Sequence, residues 1–144
     1  MSIRFYTTDV DAEKTAREMQ KILSSSDARR VAMDFDAEGR PTGLHFVLQL
    51  NNQPLPFQIE PDVEGMEKAL NEDDDTPGNF DTDQARRVAW RIWKEWLNSV
   101  LAFRKTRQAG LDQLLLGFGV TSDGQTVHER LVGDRKLLDS PTNP

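Results

Sequence analysis

Between Asp81 and Arg107 the chain sets Arg86, Arg87, Arg91, Lys94, Arg104, Lys105 and Arg107 among Trp90, Trp93 and Trp96. Guanidinium and ammonium groups neutralise phosphates and indoles stack on bases, so this mixture suits a nucleic-acid backbone. The same residue types dominate hot spots between proteins. Helical phase separates them. At about 100° per residue, Val88, Ala89, Trp90, Ile92, Trp93, Trp96, Leu97, Val100, Leu101 and Phe103 fill one arc of about 220°. Arg87, Arg91, Lys94 and Lys105 lie outside it as a ladder of positive charge. The ladder reads either as a solvated face or as a docking strip for an acidic partner or a phosphate backbone. The tryptophans fall in the apolar sector, which favours core over stacking platform, with Trp96 near its centre.

A second group is acidic. Glu72, Asp73, Asp74, Asp75, Asp81 and Asp83 lie between Asn71 and Gln84, with no Lys or Arg. Such a run could hold a hard cation, but it lacks the calcium-loop spacing, and no metal site is expected. Its simplest reading is a solvated linker at about 71–82; its sharper reading is a regulatory flap in which Asp73, Asp74 and Asp75 shield the basic ladder. His45 and His128 form no ligand pair, Gly117-Phe118-Gly119 lacks the context of a dinucleotide loop, and no nucleophile elbow or Walker loop is present. No cofactor and no catalysis are expected; a small enzyme with an unrecognised site is the weakest alternative.

The elements that must position these groups follow from periodicity. Ala12, Ala16, Met19, Ile22 and Leu23 recur at helical spacing after Asp9 or Asp11, with a short strand or extended lead-in over Phe5–Val10. Val31, Met33 and Phe35, then Leu44, Phe46, Leu48 and Leu50, then Leu55, Phe57 and Ile59 alternate with other residues, as strands with one buried face do. Short connections favour an antiparallel meander, and Pro54 and Pro56 put its third strand at an edge. A short helix is expected from Pro61 or Asp62 to Leu70. The long helix should run from about Asp83 to Gln108, with Gly110 as its stop. Its arc is too wide for one contact, so it must bury a second side against the helix Asp11–Leu23, the segment Leu111–Phe118 or another chain. Leu111–Leu116 reads as a short helix and Thr121–Leu131 as a hairpin or loose strand.

The chain has 144 residues, with 24 acids against 18 bases and no cysteine. That length fits one domain, residues 1–132, followed by a disordered tail at 133–144. The formal charge of −6 argues against coating nucleic acid with the whole surface. Disulfides and thiolate metal sites are excluded, in keeping with an intracellular protein. Met1-Ser2-Ile3-Arg4-Phe5 has no apolar signal core, and Leu114–Val120 is too short to span a bilayer, so no membrane partner is expected.

The run Arg86-Arg87-Val88-Ala89-Trp90-Arg91-Ile92-Trp93-Lys94-Glu95-Trp96-Leu97 resembles a family of small uncharacterised bacteriophage, prophage and mobile-element proteins with the pattern R-V-A-W-R-I-x-K-D/E-W. Asp112-Gln113-Leu114-Leu115 and Asp123-Gly124-Gln125-Thr126-Val127-His128-Glu129 are similar to its later segments. The resemblance implies a phage or mobile-element accessory protein in the cytoplasm of a bacterial host. It brings no agreed activity.

The sequence therefore predicts an α+β fold, a three- to four-stranded antiparallel meander packed against the long Trp-rich helix and the N-terminal helix. The function expected is non-enzymatic protein binding, as a host-defence modulator or a subunit of a phage nucleic-acid machine. The partner is an unknown protein, with a second copy of the chain among the candidates. The alternative is nucleic-acid binding by the basic side of helix 83–108.

Overall fold

The computed structural model describes residues 1–50 and 52–134. Its order is α1 (Ala12–Ser25), β1 (Arg29–Phe35), β2 (Pro41–Leu50), β3 (Gln53–Ile59), α2 (Val63–Glu72), α3 (Thr82–Lys105), α4 (Leu111–Leu115), a 3-10 turn (Leu116–Phe118) and α5 (Val127–Gly133). The fold is α+β, with a three-stranded antiparallel sheet in the order β1-β2-β3.

The hairpin between β1 and β2 is closed by Asp36, whose carboxylate accepts the Glu38 and Arg40 amides, and by Gly39 at φ +78°. The Arg40 amide contributes most to holding the Asp36 carboxyl below its ordinary range. Leu44, Phe46 and Leu48 of β2 and Phe57 and Ile59 of β3 are buried on one face, with the Phe46 and Phe57 rings stacked 5.6 Å apart. The other face meets solvent, where His45 Nε2 lies 2.5 Å from Asp34. Pro54 and Pro56 sit in an edge strand, the place where a missing amide costs no ladder bond.

The helices form the second layer. α1 buries Ala12, Thr15, Ala16, Met19 and Leu23, a stripe that matches the helical period. α3 packs beside it and buries Ala85, Val88, Ala89, Trp90, Leu97 and Val100. The two run parallel, since Glu18 meets Lys94 and Asp27 meets Arg104. α2, capped by Asp62 on the Gly65 amide, closes another side of α3 through Leu70, which joins Ala85 and Val88 in a second apolar cluster. α4 adds Leu111 and Leu115 to the main core. The second side of α3 is thus covered in part within the chain, by α1, α2 and the α4 segment together, while Phe103 stays exposed.

Several boundaries differ from the sequence reading. α3 starts at Thr82, with Asp81 capping the Gln84 amide, and stops at Lys105, ahead of Gln108. Arg107 at φ +61° turns the chain before Gly110 is reached. Residues Arg4–Thr7 form a turn, closed by the Thr8 amide on the Phe5 carbonyl, in place of a strand. The hairpin expected over Thr121–Leu131 is a turn followed by α5. Thr126 and Glu129 cap that helix reciprocally, a Thr-x-x-Glu signature that the turn residues Ser122-Asp123-Gly124 overshadow. Gly119 bridges Phe57 of β3 and Val120 bridges Thr126, each as an isolated bridge, so no fourth strand forms among the described residues. The tail expected from residue 133 lies outside the described residues from 135 onward.

The acidic stretch departs most from a free linker. Asn71 and Glu72 belong to α2. The Asn71 amide group donates to the Phe80 carbonyl at 3.0 Å and accepts its amide at 2.9 Å, closing the excursion. Thr76 is buried and accepts the Ile3 amide at 2.8 Å. Composition shows the acids but not these polar anchors, which is why the stretch reads as unattached.

Trp90, not Trp96, is the centre of the core, fully buried while Trp93 and Trp96 are half-buried. Phase gives the direction of a side chain but not which length of helix is covered. Among the described residues the Trp90 indole Nε1 has no hydrogen-bond partner, which costs about 1–3 kcal/mol and must be outweighed by the buried ring. Trp90→Ala should cost about 3–5 kcal/mol in urea unfolding, with a clearly smaller loss for Trp96→Ala; equal losses would contradict this placement.

Candidate protein-binding site

The basic ladder is largely engaged inside the molecule. Arg87 Nε donates to the Gln84 side chain at 2.9 Å, and Gln84 Nε2 in turn donates to the Tyr6 and Thr8 carbonyls. The Arg91 guanidinium lies 5.1 Å from the Phe5 ring centroid, and Arg4 lies 5.2 Å from the same ring. Arg4 also pairs with Glu95 at 2.6 Å. Lys94 is hydrogen-bonded to Glu18 of α1. The N-terminal segment and α1 therefore lie across the side that the sequence presents as a docking strip. Arg87, Arg91 and Lys94 are brought together, but as struts. Lys105 stands about 16 Å further along the axis and is exposed.

The acidic stretch makes no hydrogen bond or ion pair with that ladder. Asp75 pairs with the Met1 ammonium at 2.6 Å and Asp73 accepts from Thr76. Asp74 is exposed. A shield formed by Asp73, Asp74 and Asp75 over Arg87, Arg91 and Lys94 is not the arrangement seen. Lys94 takes its countercharge from Glu18, and the ring of Phe5 faces Arg91.

The apolar side of α3 holds the more open feature. α2 covers the first half of the helix through Ala85 and Val88 and leaves Trp93 and Trp96 half-exposed. Phe118 meets both. The three rings lie 5.2, 5.3 and 5.4 Å apart, each pair edge to face. This is the favoured geometry for aromatic quadrupoles.

Phe118 is placed by the chain on either side of it. Leu115 is buried before it, and after it the Val120 amide bonds to the Pro56 carbonyl of β3 at 2.8 Å. Gly119 is pressed close to the Phe57 ring, where a Cβ would lie 3.3 Å from the Leu116 carbonyl and 3.5 Å from Phe57. The Val127 amide closes back on the Gly119 carbonyl at 2.7 Å and sets the start of α5.

A cleft of about 430 Å³ opens at this point. Trp93 and Phe118 form aromatic walls, Gln58 comes from β3 and Glu60 from the residue after it, and His128 and Glu129 from α5. Among the described residues no Lys or Arg lines it. Glu129 Oε1 is held by the amide and hydroxyl of Thr126, so one of its oxygens serves the helix cap. A larger cleft, about 720 Å³, lies near Arg29 and Arg104, but it has no aromatic wall, and Arg104 is already committed to Asp27 and the Ser26 carbonyl. Size alone is the weaker guide; apolar walls with a few convergent polar groups mark a binding site better.

No protein-family model, curated protein or solved structure matches the chain. Among the described residues there is no group of three or more His, Asp or Glu side chains arranged to hold a metal ion. No described helix is long and apolar enough to cross a membrane.

The strut between α1 and α3 has a pH signature. The hydrogen bond from Lys94 is the main cause that holds the Glu18 carboxyl below its usual 4.5. Its stabilisation is present above that value and is lost as pH falls through the lower value of the folded state. The pair is partly solvated, so Glu18→Gln should cost only about 0.5–1 kcal/mol at neutral pH. Urea midpoints should show that the variant loses less stability than the parent on acidification; parallel loss would contradict the strut.

Proposed function

We propose that the chain is a non-enzymatic protein-binding module, an accessory of a phage or other mobile genetic element that works in the cytoplasm of a bacterial host. Modulation of host defence, or service as a subunit of a phage nucleic-acid machine, fits that setting. The genetic setting rests on the likeness of the Arg87–Trp96 run to such proteins. The binding mode rests on one observation: Trp93 and Phe118, partly buried against the core, line an open cleft. Aromatic anchors of this kind, seated in pockets, supply much of the energy of protein interfaces.

Nucleic-acid binding is the second reading. It draws on the exposed Lys105 and Arg107 at the end of α3, since Arg87, Arg91 and Lys94 already have partners within the chain. A photo-reactive residue in place of the exposed Leu116 tests the two together in host cells. The protein reading expects a cross-linked protein that survives nuclease treatment. It also expects Trp93→Ala to weaken capture by about 2 kcal/mol or more, and Lys105→Glu with Arg107→Glu to leave it intact. Loss of capture with the charge reversals, together with salt-steep retention on heparin, would contradict it.

A further inference from the structure

We infer that the cleft beside Trp93 receives an arginine side chain carried on an extended segment of a partner protein, which deepens the protein-binding reading and rests on it. The walls and the charge agree on this occupant. Indole and phenyl faces attract cations through their quadrupoles. Glu60 is exposed at the mouth, and Glu129 has one carboxylate oxygen engaged in its cap and the other without a hydrogen-bond partner among the described residues. On its other side Trp93 borders a smaller depression that contains Asp62 and, among the described residues, no Lys or Arg. The surroundings carry the same sign. From Glu60 to Asp83 there are ten carboxylates and one cation, Lys68. Of these, Glu60 lines the cleft and Asp62 the depression beside it, and a field of that sign steers basic partners and repels phosphates.

Guanidinium suits the geometry better than ammonium. It is planar, stacks on aromatic faces and engages a carboxylate through two donors at once. The extended form of the segment follows from β3. Its outer edge takes one backbone hydrogen bond from outside the sheet among the described residues, Val120 N to Pro56 O. Gly119 bridges that edge at Phe57, and past this bridge no strand pairs with it among the described residues. An open edge offers main-chain pairing to a strand-like peptide, and a neighbouring pocket then selects its side chain.

The probes are blocked pentapeptides, acetyl-Val-Thr-Arg-Thr-Val-amide and its citrulline and lysine counterparts, and the oligonucleotide dT10. Each is titrated into the isotope-labelled full chain. The arginine peptide should shift the Trp93 indole resonance and the amides of residues 58–60 saturably. Citrulline, neutral but of the same shape, should bind at least about fivefold more weakly, through loss of the charge pair and the cation–π contact. Lysine should fall between them. Glu60→Gln, at an exposed position, should narrow the gap between arginine and citrulline, and dT10 should leave these resonances unmoved. Equal binding by citrulline overturns the charge assignment, and equal binding by lysine overturns the guanidinium assignment. A dT10 response at the same resonances overturns the choice of a protein partner. Absence of any arginine response overturns the inference itself, while cross-linking from position 116 still decides the broader protein-binding reading.

Discussion

The structure depends on burying a helix whose apolar arc is wider than one neighbour can cover. A surface helix ordinarily hides a stripe little more than about 100° wide. α3 carries about twice that, and Trp90 within it is fully buried. Three partners share the task. α1 lies parallel to it, α2 closes its first half, and α4 with the 3-10 turn closes part of its second half. The sharing is uneven. Beyond Ala85 and Val88, Phe118 packs on Trp93 and Trp96 without covering them fully, and the cleft opens beside that contact. The candidate site is thus a consequence of how the core is divided.

The same division settles the charges. Packing α1 and the N-terminal segment against α3 brings them over its cationic side, and cations taken partly out of water require partners. Glu18, Glu95, the Phe5 ring and the Gln84 side chain meet that need. The surface around α2 and its following turn keeps an excess of acids, of which Asp75 pairs with the Met1 ammonium and Asp83 with Arg86. The sign of the expected partner is thereby reversed, from the acidic partner a bare cation ladder would suggest to a basic one.

Much of the architecture was legible because it is periodic. Alternation at Leu44, Phe46 and Leu48 marks the central strand, Pro54 and Pro56 mark an edge, and Asp62 announces the start of α2. What could not be read depends on residues far apart in the chain. Glu18 and Lys94 are 76 positions apart, and Ile3 finds Thr76 at 73. No local pattern links such pairs, so the ladder looks bare and the acidic stretch looks free. The site fails to show for the same reason. Gln58, Trp93, Phe118 and His128 come from four segments, and only the tertiary fold brings them to one cleft. The Thr126–Glu129 cap is the exception, a local signal that was present in the sequence and lost behind a stronger turn motif.

The central claim is that α3 hides Trp90 and leaves Trp93 accessible at a cleft. Laser-induced nuclear polarisation of the free protein reports directly on which indole rings a dissolved dye can touch. The account predicts a strong Trp93 signal and none from Trp90. Polarisation of Trp90, or a silent Trp93 in the folded protein, would contradict it.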